Sequence, residues 1–259
     1  MDLFDLSGRV AVITGGNGGI GLGMAKGLAS AGCAVSIWSR NAEKNAKAAD
    51  AIKALGGKVH TQVCDVSSPE QAGRAMAATL QAFGRVDGMF ANAGTGGGGR
   101  RPFIERSEEE WRRMMSTNLD GIFHVFQVAA RHMTERAKAG DPFGRLVATS
   151  SLAAISGTAQ NEHYAATKAA ANAVVRALAV ELARYGVTAN AILPGWTKSE
   201  MTAPAFSNEK FVNNVMPRIP MRRFGEPEDF AGIAVYLMSK ASSYHTADTF
   251  LIDGGYAVF

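Results

Sequence analysis

Residues 9–31 read RVAVITGGNGGIGLGMAKGLASA, and their order decides the fold. The run from Arg9 to Ile13 is short, apolar and rich in β-branched residues, as a strand buried on both faces must be. Thr14-Gly15-Gly16-Asn17-Gly18-Gly19-Ile20-Gly21 follows, then a helical stretch over 19–31. Strand, glycine-rich turn and helix start in this order let the backbone come close to a phosphate, beside free N–H groups and the positive end of a helix dipole. The glycines Gly15, Gly19 and Gly21 are spaced G-x-x-x-G-x-G, not as the G-x-G-x-x-G dinucleotide fingerprint. Taken alone, the turn fits a tight connection without a ligand equally well.

Working outward, strand-like runs recur at 34–38, 58–63, 86–91, 144–150, 188–193 and 249–252. Helical stretches lie between them at 42–55, 69–83, 107–118, 121–138, 165–185 and 227–238. The strands read as apolar on both faces. Such alternation predicts right-handed βαβ crossovers and an α/β fold: a doubly wound seven-stranded parallel sheet with helices on both faces, one domain spanning 1–259. The stretch 196–224 has weak periodicity and three prolines, Pro204, Pro217 and Pro220, and reads as a mobile lid.

Composition sets the outer limits. A chain of 259 residues that is 47% hydrophobic can fill a core on both faces of a sheet. The net charge of +4 comes from scattered pairs (Arg100-Arg101, Arg112-Arg113, Arg222-Arg223) and not from a dense run, so no nucleic-acid partner is expected. Cys33 and Cys64 belong to no CxxC pair, and no His/Cys cluster has metal-ligand spacing. In parallel strands they fall at opposite ends of neighbours, so free buried thiols in a reducing compartment are expected. The start MDLFDLSGRVAVIT carries acidic residues and runs straight into a strand, unlike a signal peptide. No apolar run approaches membrane length, and the expectation is a soluble, cytoplasmic protein without a membrane partner.

A second group of residues carries chemistry. Tyr164 and Lys168 are an i, i+4 pair on one helical face, with Ser151 and Asn118 upstream. Ser151 follows the fifth strand, Gly94 the fourth and Gly195 the sixth, so all three meet at the carboxyl edge of the sheet, where such folds bind ligands. A carbonyl that accepts hydride gathers negative charge on oxygen and then needs a proton. The usual phenol pKa of about 10 is too high for ready exchange, and a nearby ammonium is expected to lower it. Ser151 can hold the substrate oxygen. A dinucleotide loop beside this set points to an oxidoreductase. Individually each residue has a commoner use: a packed tyrosine, a solvated lysine, the end of a strand, the end of a helix. His163 adjoins Tyr164, but helical neighbours point about 100° apart, so it reads as a surface or interface residue. Asn161 and Glu162 are candidates for the pocket mouth.

These motifs, in this order, resemble the short-chain dehydrogenase/reductase family, and the resemblance covers nearly the whole chain. It implies a single-domain Rossmann fold. It makes Gly15, Asn17, Gly18, Gly19 and Ile20 part of a TGxxxGIG cofactor loop, and sets Asp65 and Val66 beside the adenine. Asn92, Ala93 and Gly94 match the NAG element, and Pro194, Gly195 and Thr197 the turn under the nicotinamide. Asp253-Gly254-Gly255 matches the C-terminal signature. Asn118, Ser151, Tyr164 and Lys168 become the catalytic set, with Lys168 also on the nicotinamide ribose and Asn118 fixing a water that links Lys168 to solvent. The resemblance also implies a homotetramer joined through long helices and the C-terminal strand. The alanine-rich helix and the apolar tail Tyr256-Ala257-Val258-Phe259 suit that assembly. A cofactor sensor without turnover would be expected to lack Tyr164 or Lys168, and non-redox epimerases or dehydratases of this scaffold usually have longer chains.

The cofactor's 2′ end reads separately. Ser39 stands where an acidic residue would grip a free ribose 2′-hydroxyl, and Arg40 follows. A serine and a guanidinium suit a 2′-phosphate, so NADP(H) is favoured. NAD(H) is the alternative, with Arg40 stacked on adenine; Gly18 supplies no second basic residue. The substrate is expected to be a small carbonyl or alcohol compound, its pocket drawn from Ser151, Leu152, Ala153, Tyr164, Gly195 and Trp196. Trp196, Met201, Phe206, Phe211 and Met216 can cover it or pack within the lid. The loop 96–101 reads as flexible, with Arg100 or Arg101 available to an anionic substrate.

Overall fold

The computed structural model describes residues 2–96 and 101–259. The chain alternates through β1 (Val10–Thr14), α1 (Gly19–Ser30), β2 (Ala34–Ser39), α2 (Ala42–Lys53), β3 (Val59–Val63), α3 (Pro69–Phe83) and β4 (Gly88–Ala91). Next come α4 (Glu108–Met115), α5 (Gly121–Lys138), β5 (Gly144–Thr149), α6 (Glu162–Leu182) and β6 (Val187–Pro194). Two short helices, α7 (Ala203–Phe206) and α8 (Glu209–Val215), precede α9 (Ala231–Met238) and β7 (Thr249–Ile252). Capping chemistry sets several of these boundaries. Asn41 accepts from Lys44 N–H at the start of α2, and Ser68 accepts from Gln71 N–H at the start of α3. Ser107 and Glu110 form a reciprocal capping box on α4.

The strands make the expected doubly wound sheet, all parallel, in the order β3-β2-β1-β4-β5-β6-β7. The order reverses between β1 and β4, which leaves a crevice beyond their carboxyl ends. Side chains alternate between two cores, as a strand period of two requires. Val12 of β1 joins Phe126 of α5 and Val175 of α6 on one face. Its neighbours Ala11 and Ile13 join Met24 of α1 and Leu237 of α9 on the other.

The differences from the sequence reading have local causes. The edge strands β3 and β7 are not apolar on both faces; both are half-buried, and Val63 is exposed. The strand expected from 86 begins at Gly88; Val86 N–H donates to His132 and not to a neighbouring strand. The stretches 107–118 and 121–138 are not separate helices. A π-helical turn, Ser116–Asp120, joins α4 to α5 and places Asn118 in the middle of a continuous rod. Cys33 precedes β2, Cys64 follows β3, and both are free and buried. Burial pushes the Cys64 thiol up to about 11. No helix among the described residues is long and apolar enough to cross a membrane.

The amino edge of the sheet is held by charge. Asp87 is fully buried and accepts from Val10 N–H at 2.9 Å, Arg9 at 3.1 Å and Arg85 at 2.6 Å, with Arg136 at 3.0 Å. Arg136 also donates to Val86 O and, with Arg85, to Asp141. One carboxylate thus joins the segments that lead into β1 and β4 to the end of α5. Losing one partner of a buried cluster strands the others without a counter-charge. Asp87→Asn keeps the shape and removes the charge, and is expected to cost about 3 kcal/mol in a urea unfolding series. An unchanged midpoint would show that the arginines do not depend on this carboxylate.

Candidate active site

The glycine turn is fastened to the end of β4. Thr14 Oγ1 accepts from Asn92 N–H at 3.0 Å and Ala93 N–H at 2.9 Å, and donates to Phe90 O. Asn92 Nδ2 returns the bond to Thr14 O at 3.0 Å and reaches Gly15 O. Gly15 N–H donates to Trp38 O at 2.8 Å, so β2 holds the same turn. Gly15 has φ +65°, which L side chains rarely adopt. A side chain at Gly21 would collide with Gly15 O and Asn92 Nδ2, so the first turn of α1 lies directly against the loop.

A cleft of about 430 Å³ opens where the sheet order reverses. The glycine-turn residues Gly15, Asn17, Gly18, Gly19 and Ile20 line it. So do Ser39, Arg40, Asp65 and Val66 at one end, and Asn92, Ala93 and Gly94 in the middle. Ser151, Tyr164, Lys168, Pro194, Gly195 and Thr197 line the other end. Burial raises the Asp65 carboxyl, but bonds from Ser67 and the charge of Arg40 bring it below the usual value. The sequence reading missed Lys44, which also lines the cleft, together with Ser199, Glu200, Met201 and Thr202 from the stretch expected to cover it. Lys44 Nζ pairs with Glu200 at 2.6 Å and joins α2 to the segment after β6. Periodicity alone carries no signal for a contact between residues so far apart in sequence.

Polar groups on the wall await a partner. Ser39 Oγ and Thr149 Oγ1 are buried on the cleft wall without a hydrogen bond. Ser39 is fixed through its carbonyl, which accepts from Asn45 Nδ2, and Asn45 Oδ1 accepts from Asn17. A buried unsatisfied hydroxyl is costly, and a ligand oxygen in the cleft would relieve it. A glycine cradle, a buried hydroxyl and a guanidinium at one end fit a dinucleotide. Gly15, Gly18 and Gly19 would hold its pyrophosphate, and Ser39 and Arg40 its adenosine end.

At the other end, Ser151 and Tyr164 line the wall together, and the Ser151 hydroxyl favours the ionised phenol. Lys168 is buried; its Nζ lies 5.6 Å from the Tyr164 ring centroid and donates to Thr149 O at 2.7 Å. The phenol was expected to fall toward neutrality beside this ammonium. Instead burial pushes Tyr164 up, with only Ser151 opposing it, and the same burial brings Lys168 down to about 8. Taking either charged form out of water outweighs the attraction between them. Asn118 does not line the cleft. It is fully buried behind it, accepting from Thr95 N–H at 2.8 Å and donating to Thr95 O at 3.0 Å. Through Gly94 it stays close to the site: a side chain there would meet Asn118 Oδ1 at 3.2 Å and Lys168 Nζ at 3.7 Å.

Three expectations change. Ala153 is not among the cleft residues; its N–H donates to Ser151 Oγ. Trp196 faces a second cavity of about 190 Å³, with Met221 and Asp253, instead of the main cleft. Its ring meets Phe211 edge-on at 4.8 Å, and Phe206 stacks on Phe224 at 4.1 Å, so much of the expected apolar cover packs against itself. Met201 is the exception and lines the cleft. His163 is not on the surface; it is buried at 1% exposure against Arg106. Residues 97–100, and with them Arg100, lie outside the described residues, while Arg101 pairs with Glu110 at 3.6 Å.

Known proteins share this arrangement. A family model described as enoyl-(acyl carrier protein) reductase matches residues 15–257. The gluconate 5-dehydrogenase of Gluconobacter oxydans is 36% identical over 257 residues, covering 99% of this chain and 98% of that protein. A crystal structure of a short-chain type dehydrogenase/reductase from Mycobacterium marinum superposes with a TM-score of 0.92 at 34% identity, covering 100% of this chain and 99% of the other. A gluconate 5-dehydrogenase from Burkholderia cenocepacia, solved with NADP and tartrate, gives a TM-score of 0.92 at 33% identity and covers 100% and 98%. With a family model over most of its length and relatives that match it from end to end in sequence and fold, the chain belongs to the short-chain dehydrogenase/reductase family, oxidoreductases of CH–OH and C=O groups that use a nicotinamide dinucleotide.

Proposed function

We propose that this chain is an NADP(H)-dependent oxidoreductase that interconverts a carbonyl and a secondary alcohol, with Tyr164 as the proton donor and acceptor. One observation carries the reading: the Ser151–Tyr164 hydroxyl pair and the Lys168 ammonium line the same cleft as the glycine turn. The nicotinamide, when bound, supplies or accepts the hydride. Ser151 orients the substrate oxygen, and Tyr164 gives it a proton or takes one from it. A phenol raised by burial stays protonated at neutral pH, which suits it to protonate a new alkoxide. Lys168 holds the ribose, and Asn118 fixes Thr95 and the floor beside Lys168. Gly94, Pro194, Gly195 and Thr197 shape the nicotinamide end, and Asn92 and Ala93 tie it to the glycine turn.

The 2′ end supports NADP(H). Ser39 offers a buried free hydroxyl, Arg40 a guanidinium, and Lys44 the second cation that Gly18 does not supply. NAD(H), with Arg40 stacked on adenine, is the alternative. For the substrate we favour a polyhydroxy acid, because the gluconate dehydrogenases resemble this chain over nearly full length. The whole chain acts as one domain in this reading, with 196–224 as the substrate lid. A homotetramer in the cytoplasm completes it, supported by the exposed apolar Val180, Val258 and Phe259 and by two free buried thiols.

Tyr164→Phe is expected to leave NADPH affinity unchanged and to cut reduction of 5-keto-D-gluconate at least about 100-fold; turnover close to wild type would remove Tyr164 from the role. In fluorescence titrations NADPH is expected to bind more tightly than NADH, and Arg40→Ala to weaken NADPH about tenfold while sparing NADH, the loss of a charge-assisted hydrogen bond. Equal binding of both cofactors would favour the stacking alternative.

A further inference from the structure

The start of α6 carries Tyr164 in its first turn, where backbone N–H groups lack helical partners. Helices usually steady this turn with a side-chain cap. Here Asn161 makes no cap; its Nδ2 donates outward to Gly96 O. The residue before it, Gln160, has φ +64°, an uncommon conformation for a side chain of this kind, and its N–H is taken by the Glu162 carboxylate at 2.7 Å. The segment needs an external support, and Arg106 supplies one.

The Arg106 side chain is only 4% exposed. It enters from the stretch before α4, where Ser107 opens the helix. Its Nη2 donates to Gln160 O at 2.8 Å and to Arg101 O at 3.3 Å, and its Nη1 lies 3.2 Å from His163 Nε2. A guanidinium has only donors, so Nε2 must accept and the ring proton sits on Nδ1. His163 is therefore neutral in this contact. We propose that Arg106 and neutral His163 form a clamp that positions the first turn of α6, and with it the Tyr164 hydroxyl, for proton transfer. The clamp also ties Arg101, before α4, to Gln160, before α6. It rests on Tyr164 being the proton donor.

Four charged groups face His163: Arg106 before α4, Glu110 and Arg113 on α4, and Glu162 on its own helix. Burial and then Arg106 hold the imidazole below its usual value, against Glu110 and Glu162. The neutral ring, and with it the clamp, is present above the ordinary histidine range. Both are lost as pH falls below it, when a proton on Nε2 would set two donors and two positive charges face to face.

The test uses the full chain in three measurements: NADPH affinity, reduction of 5-keto-D-gluconate between about pH 5 and pH 8, and ¹⁵N imidazole shifts. Wild-type kcat is expected to fall on the acid side. His163→Gln keeps an acceptor that does not titrate, and is expected to retain neutral kcat within about twofold and to lose the acid fall. His163→Phe and Arg106→Met are expected to lower kcat about tenfold with NADPH affinity unchanged, the mark of a displaced proton donor. A purely structural role would not give rescue by glutamine or a flattened pH profile. If His163→Phe keeps wild-type kcat and its acid fall, the clamp is wrong. The imidazole shifts decide the contact without a substrate. Nδ1–H with bare Nε2, and a pKa that rises in Arg106→Met, support the clamp, whereas Nε2–H at neutral pH overturns it. Absence of turnover in wild type with intact imidazole behaviour would count against the substrate reading alone.

Discussion

The Thr14 hydroxyl is the junction on which the site depends. It accepts two backbone N–H groups from the end of β4 and donates to a third point on that strand. Asn92 answers by bonding the carbonyls of Thr14 and Gly15. The reversal of sheet order makes β1 and β4 neighbours, and this exchange of bonds fixes how far apart their exit loops can drift. The glycine turn then keeps its left-handed Gly15, and Gly21 can pack against it without a side chain between them. Gly94 leaves β4 toward Asn118 and Lys168, so the glycine-turn wall and the Tyr164–Lys168 wall of the cleft hang from one strand end.

Burial shapes the chemistry more than pairwise attraction does. Tyr164 and Lys168 share a wall, yet each is shifted toward its neutral form. Lys168 spends one donor on Thr149 O, which fixes the direction of the side chain and leaves its remaining donors for the cleft. The π-helical turn serves the same end from the other side. An extra residue in the helix swings Asn118 inward to satisfy both polar groups of Thr95.

Much of this was legible in the sequence because strands buried on both faces and a glycine turn leave period and spacing behind. The seven strands and the glycine turn are of that kind, while Ser151, Tyr164 and Lys168 stood out only together and in order, since each alone has a commoner use. What was hidden depends on distance in space. His163 read as a surface or interface residue because helical geometry says only where it points relative to Tyr164, and nothing of Arg106, which lies 57 residues upstream. Trp196 read as a pocket residue because its position suited one, but its ring packs on Phe211 and faces the smaller cavity. The pairing of Lys44 with Glu200 spans 156 positions and leaves no trace in either local stretch. The π-helical turn was missed because the pattern on each side is helical and a single extra residue looks like a gap between two helices.

The ionic cluster around Asp87 lies at the amino ends of the strands, and the cleft lies beyond their carboxyl ends. The full length of the sheet separates them. Substitutions that reshape the substrate end therefore fall far from the groups that hold the strands' opposite ends together. Such a division makes the scaffold forgiving of experiment: loops at the working edge can be exchanged and selected for new alcohols or ketones while the information for folding stays intact at the other edge. One framework can in this way serve many substrates, with novelty and durability assigned to opposite ends of the same strands.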